Sequence, residues 1–331
     1  MQVRFLSRAT VIKTHLFCKR VFVGLICIFA LWACRAHQPD IADSIVQDSS
    51  TATRVVQHVM GETVIPVTPE RIVTLHDSTI LDPVLSLGIR PIGAATYAPE
   101  TDILFRGIPD EMTETISQVG SAFEPSIEKI LSLKPDLIIG REYQENIYPL
   151  LSEVAPTVLI DWERFSSFQE NLLYIADIIG RSEKAEQVLT QYQEKVEILK
   201  QRLEPKLQTI EVAVIGFTGQ TIKSFSYNDA AFNHVLEDVG IKRIPRQKNQ
   251  TERFLELSLE TLIQYDADVI FVVNESDDIS KSFLKTPLWS QLRAAKDHSI
   301  YAVDDEVWFS AGPIGINQIL DDLFEYLADN S

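Results

Sequence analysis

The 331-residue chain holds three cysteines and six histidines, and their placement limits the chemistry open to it. Cys18, Cys27 and Cys34 all lie near the start, so nothing beyond Cys34 can form a disulfide or a thiolate metal site. Among His15, His37, His58, His76, His234 and His298 no two stand at the helical or hairpin spacing of a metal pair, so no site for a bare metal ion is expected. His76-Asp77-Ser78 sets the residue types of a catalytic triad side by side, but neighbours in sequence cannot reach triad geometry together. Gly216-Phe217-Thr218-Gly219 lacks the third glycine of a dinucleotide fingerprint, and nucleophile-elbow, Walker and His-Glu-x-x-His patterns are absent. The expectation is a protein that is not an enzyme and carries no cofactor. The positive signal is a repeated Ser-x-Glu, at Ser126-Ile127-Glu128 and at Ser258-Leu259-Glu260. Each serine suits a helix N-cap, and each glutamate falls in the first turn, where the helix dipole favours a carboxylate.

Cys34 is the one thiol with a chemical context. Residues 1–33 carry five basic residues and no acidic one, and they end in an apolar run from Val21 to Ala33. That run is too short to cross a ~30 Å hydrocarbon core. A basic start, a short apolar stretch and a small residue before a break describe a secretory leader. Leu31-Trp32-Ala33-Cys34 resembles the bacterial lipobox, with Trp32 departing from its preference for a small residue. The expectation is a lipoprotein signal peptide at 1–33 and lipidation of Cys34; plain cleavage and an uncleaved anchor are the alternatives. The formal net charge is −17, and without the leader 25 basic residues face 47 acidic ones. A surface near −22 repels phosphate backbones and offers no polybasic membrane contact, so no nucleic acid is expected and only the lipid would hold a membrane.

The rest of the sequence must supply the scaffold. Residues 34–54 are polar and aperiodic and read as a flexible tether. Short apolar strands at Arg71–Leu75, Pro91–Ala95, Asp136–Gly140 and Val158–Ile160 alternate with helices at Thr79–Leu87 and Ile127–Leu133, which predicts a largely parallel sheet. After a helix from Phe168 to Ile179, a second from Ser182 to Leu203 carries an apolar stripe of Ala185, Leu189, Tyr192, Val196, Leu199 and Leu203. The α/β pattern then restarts, with strands at Ile210–Gly216, Asp268–Val273 and Ser299–Val303 and helices at Ala230–Val239 and Gly315–Leu327. Segments 126–139 and 258–271 match at Ser, Glu and Asp and at their apolar positions. Two similar lobes around one long helix explain the match most simply. The divisions are an N-terminal lobe at 55–180, an inter-lobe helix at 181–204 and a C-terminal lobe at 205–331.

Several stretches, in this order, resemble the periplasmic siderophore- and cobalamin-binding proteins of ABC importers. They are Thr68-Pro69-Glu70-Arg71-Ile72-Val73, Leu85 to Gly93, Glu124 to Ile130 with Lys134-Pro135-Asp136-Leu137-Ile138, Ala155-Pro156-Thr157-Val158, Leu288 to Leu292 and Asp321-Asp322-Leu323. The resemblance spans nearly the whole chain after the leader. It implies two Rossmann-like α/β lobes with mainly parallel sheets, joined by one rigid helix, with a ligand cleft between them. It further implies a monomeric, periplasmic, lipid-anchored binding protein that captures a ferric siderophore and delivers it to an ABC permease. Haem or cobalamin is the alternative ligand, and a ligand-presenting sensor or an unrecognised enzyme the alternative class. By resemblance Glu128 and Glu260 dock onto permease arginines, one per lobe. A cleft for a bulky chelate needs aromatic walls and arginine donors. Arg141 and Tyr143 follow the strand ending at Gly140, and Tyr97, Arg106, Trp162, Tyr227, Arg253 and Trp308 lie near strand ends or loops. Trp289 is assigned to the core.

Overall fold

The structure is a computed structural model that describes residues 52–97, 104–165, 167–218, 221–226, 231–274 and 286–329. The expected leader and Cys34 lie outside the described residues. The described chain opens with a hairpin, β1 (Thr53–His58) paired antiparallel with β2 (Gly61–Pro66). β1 therefore begins inside the segment 34–54 expected to be a tether. Its sequence alternates only weakly, and its order comes from pairing with β2 and from Leu159, whose amide donates to His58 Nδ1 at 3.2 Å.

The N-terminal sheet has the order β5-β4-β3-β6-β7 and is parallel throughout. Its strands are β3 (Ile72–Thr74), β4 (Gly93–Thr96), β5 (Ser117–Ser121), β6 (Leu137–Arg141) and β7 (Thr157–Ile160). Leu137, Ile138 and Ile139 are all fully buried, as expected of a parallel strand covered on both faces. Helices α1 (Asp82–Ser86), α2 (Ile127–Leu133), α3 (Tyr148–Val154) and α4 (Phe168–Ile178) cover it. On one face Ile130 of α2 and Leu151 of α3 pack with Val73 and Ile138; on the other Leu172 and Ile175 of α4 pack with Ile72 and Ile139.

Helix α5 (Ser182–Leu207) has 26 residues, a length of roughly 39 Å, and its single apolar stripe serves both lobes. Ala185 and Val188 belong to the N-terminal core, while Tyr192, Val196, Leu199 and Leu203 belong to the C-terminal one. Leu189 packs against both. The helix passes the end expected at 204. Pro205 removes only one amide donor in the last turn, and the amides of Thr209 and Ile210 close on the Lys206 carbonyl. Because Leu199 is fully buried in the C-terminal core, Leu199→Ala is expected to cost about 2–5 kcal/mol, read as a lowered urea midpoint.

The C-terminal sheet has the order β11-β9-β8-β12-β13, with β10 (Lys242–Arg243) beside the start of β8. It contains β8 (Glu211–Thr218), β9 (Thr221–Phe225), β11 (Phe254–Leu257), β12 (Val269–Asn274) and β13 (Ile300–Asp304). β8, β12 and β13 are parallel, but β9 is antiparallel to both of its neighbours, so this sheet is mixed. Helices α6 (Ala231–Val239), α7 (Leu259–Leu262), α8 (Asp305–Trp308) and α9 (Pro313–Leu323) belong to this lobe. No helix among the described residues is long and apolar enough to cross a membrane.

Candidate ligand-binding cleft

Parallel strands deliver their C-terminal ends to one edge of a sheet, and the residues that follow them form the natural place for a ligand. In the N-terminal lobe that edge is organised by two buried polar side chains. The first is Asp77, just after β3. Its carboxylate is fully buried and accepts from the amides of Ser78 (2.7 Å) and Tyr97 (3.2 Å) and from Nη2 (2.7 Å) and Nε (3.1 Å) of Arg106. Burial pushes this carboxyl up, but the Arg106 guanidinium and the amide donors outweigh burial and hold it below the ordinary carboxylate range. Arg106 is thereby laid over the Tyr97 ring at 3.9 Å. Beside them His76 is buried, which lowers its pKa to about 3 and keeps the imidazole neutral; its Nδ1 accepts from the Thr79 amide.

The second organiser is Gln144. Its Oε1 accepts from the Arg141 amide (2.8 Å), while Nε2 donates to the carbonyls of Leu75 (3.0 Å) and Ala122 (2.6 Å). One side chain thus ties together the ends of β3, β5 and β6. Gly140 makes room for it, because a Cβ there would collide with Gln144 Oε1. Arg141, held this way, forms a two-pronged pair with Glu142 (2.7 and 2.9 Å) and lies 5.4 Å from the Tyr143 ring and 5.5 Å from the Trp162 ring. Glu142 also accepts from the Trp162 amide, which fixes the turn after β7.

Between these two arginines runs a row of rings: His76 to Tyr97 at 5.6 Å, Tyr97 to Phe123 at 5.1 Å and Phe123 to Tyr143 at 5.2 Å. Phe123 is 55% exposed, an unusual state for a phenyl ring in contact with two tyrosines. The Tyr143 hydroxyl is buried with no hydrogen-bond partner among the described residues, and burial pushes its pKa up. The structure therefore brings together Tyr97, Arg106, Arg141, Tyr143 and Trp162. Sequence reasoning missed Phe123, Asp77 and Gln144; the position of Phe123, just after a strand, was the available signal.

The C-terminal lobe treats its candidates differently. Tyr227 lies outside the described residues. Arg253 is exposed just before edge strand β11, where its carbonyl accepts from the Ser226 amide (2.9 Å). Trp308 is corrected from cleft wall to core. It is fully buried, packs at a tilt against Phe271 (4.7 Å) and Phe232 (5.6 Å), and donates its indole N–H to Asp322 (2.7 Å). The single turn of α8 points it inward beneath the sheet, where the Asp322 carboxylate satisfies its one polar atom. Trp289 is fully buried, in the cluster on the other side of β8 and β12. Glu128 and Glu260 are exposed in the first turns of α2 and α7, each behind a serine that caps the helix: Ser126 accepts from the Lys129 amide (3.3 Å) and Ser258 from the Thr261 amide (3.2 Å). Among the described residues no group of three metal-ligating side chains could hold an ion.

The two lobes meet beside Arg106. The Gln318 side chain donates to the Gly107 carbonyl (2.7 Å), and a Cβ on Gly107 would stand 2.7 Å from Ser310 Cβ. The amides of Ile314 (2.8 Å) and Gly315 (3.0 Å), at the start of α9, donate to the fully buried Asp82 of α1.

Residues 99–307 match the family described as periplasmic binding protein. The probable siderophore-binding lipoprotein YfiY of Bacillus subtilis is 32% identical over 95% of this chain and 98% of its own length. The putative ABC transporter substrate-binding lipoprotein YhfQ of the same organism is 30% identical over 84% of this chain and 89% of its own. Among solved structures, Staphylococcus aureus SirA complexed with staphyloferrin B is 28% identical, covers 83% of this chain and 98% of its own, and superposes with a TM-score of 0.68. The chain belongs to the periplasmic binding protein family.

Proposed function

We propose that this protein captures a ferric siderophore outside the cytoplasm and delivers it to the permease of an ABC importer. The observation that carries the reading is the row of rings at Tyr97, Phe123 and Tyr143, flanked by Arg106 at one end and by Arg141 and Trp162 at the other. A chelate brings its own iron ligands, so the cleft has to supply only flat apolar contact and a few fixed donors. Phe123 offers the exposed face, and the unpartnered Tyr143 hydroxyl offers a hydrogen bond that a ligand oxygen would complete. The relatives agree: one is named a siderophore-binding lipoprotein, and a solved neighbour holds staphyloferrin B. The family binds substrates for transport. On this reading the protein works as a monomer in the periplasm, Cys34 bears the lipid, and Glu128 and Glu260 contact the permease.

The test is tryptophan fluorescence of the purified full-length chain. Ferric siderophores are expected to quench it saturably, and Trp162→Phe to remove most of the quench while affinity falls only modestly, because Phe keeps a ring beside Arg141. Saturable binding of haem or cobalamin with no response to any ferric chelate overturns the ligand assignment, and turnover of a substrate overturns the class.

A further inference from the structure

The two arginines that frame the ring row are already neutralised by the protein itself. Nε and Nη2 of Arg106 are taken by Asp77, and Nε and Nη2 of Arg141 by Glu142. Each guanidinium spends its fork on its own carboxylate, the geometry a carboxylate- or catecholate-rich ligand would otherwise claim. Among the described residues, one further acid near the Arg106 end is Glu306. Glu306 sits in α8, which starts at the C-terminal end of β13, and the backbone of α8 packs against the residue after Arg106. A Cβ on Gly107, the residue after Arg106, would stand 3.1 Å from the Glu306 carbonyl. One carboxylate oxygen of Glu306, Oε2, is buried and has no hydrogen-bond partner among the described residues. The charged groups acting on it are Asp305, Arg106, Asp77 and Asp304; after burial, the neighbouring acids outweigh Arg106 and its pKa rises to about 7. A buried acceptor with no donor is a cost that a bound ligand can remove.

Resting on the reading above, we propose that Glu306 is the ligand contact supplied by the C-terminal lobe, and that its free oxygen takes an ammonium or N–H donor from a ferric chelate carrying no net negative charge. In its ionised form, which predominates above about pH 7, the same carboxylate repels an anionic chelate, which would meet two arginines already paired and one acid unpaired. Nothing in the ring row discriminates by charge, so Glu306 is the specificity-determining residue of the site.

The experiment uses the full-length protein and three probes: a linear ferric trihydroxamate with a terminal ammonium, the same chelate with that amine acetylated, and a ferric tricatecholate. Wild type is expected to prefer the ammonium form over the acetylated one by about ten-fold or more, the size of one charge-assisted hydrogen bond. Glu306→Gln, which keeps the side-chain volume, is expected to collapse that ratio towards one and to strengthen tricatecholate binding. Glu306→Ala, checked alongside by a thermal melt, is expected to do the same. A tricatecholate bound best by wild type, or an ammonium preference that survives both substitutions, overturns the assignment of Glu306 while leaving ferric siderophore capture standing. Failure of all three chelates to bind overturns both.

Discussion

Replacing Glu128 by arginine, or Glu260 by arginine, is expected to abolish uptake of the chelate into cells while the purified protein still binds it. The two carboxylates stand in equivalent places. β5 and β11 are the edge strands of their sheets, and each is followed by a capping serine and a helix that leads back to the strand beside the central one. Both glutamates are exposed in the first turn, so reversing either charge sets a cation against the positive end of a helix dipole, a cost of about 0.3–1 kcal/mol. That is too little to unfold a lobe. At a docked interface the same change replaces a carboxylate–guanidinium pair by two cations, where losing one partner alone typically costs about 2–5 kcal/mol. Transport of labelled chelate in cells, set beside fluorescence titration of the purified variants, separates the two. Equal loss of affinity would mean that these side chains serve the cleft or the fold, and full uptake by the double variant would remove docking from them altogether.

The echo that points to these glutamates was legible for a reason the structure supplies. Its third matched residue, Asp136 in one lobe and Asp268 in the other, does the same work twice. Asp136 accepts from the amides of Glu70 and Arg71 at the entrance to β3, and Asp268 accepts from the amide of Glu211 at the start of β8. A serine starts the helix, and an aspartate pins the next strand to the central one, so their spacing is fixed by the geometry of the unit. The strands β6 and β12 were equally readable, because burial on both faces demands an unbroken apolar run.

Other features carry no local signal. The antiparallel β9 exists because the chain turns back after β8, and its sequence reads no differently from a parallel strand. Trp308 and Phe309 are adjacent aromatics, and only the direction of one helical turn and an aspartate fourteen residues on decide which of them is buried. Gln144 is one polar residue among many until three strand ends are brought around it. Asp82 looks like an ordinary first-turn acid of α1, and its partners lie 232 and 233 residues away.

That contact makes a single added methyl group costly. Gly312 stands just before α9, and a Cβ added there would run into the Asp82 carboxyl. Gly312→Ala must therefore displace a fully buried carboxyl group from the two amides that donate to it, and leaving it buried without them costs about 1–3 kcal/mol. A urea midpoint within error of wild type would show that the lobes can part here without loss. The carboxyl also leaves a signature in pH. Burial raises its pKa to about 7, because desolvation pushes up more than the two amides pull down. The folded chain thus keeps this proton where an unfolded aspartate, near 3.8, has released it. Stability from this group falls as pH rises from about 4 to about 7, by up to about 1.4 kcal/mol per unit. Neutral His76 acts in the opposite sense: with its pKa lowered to about 3 from 6.5, the folded chain binds fewer protons, and stability rises with pH across that window. The two slopes offset each other in the wild type, so the informative quantity is the difference between wild type and Asp82→Asn. Asparagine cannot release a proton here, and the difference in unfolding free energy is expected to shift steadily in favour of asparagine between pH 4 and pH 7 and to level off above. A pH-independent difference would mean that Asp82 stays ionised in the folded protein, held so by the amides of α9.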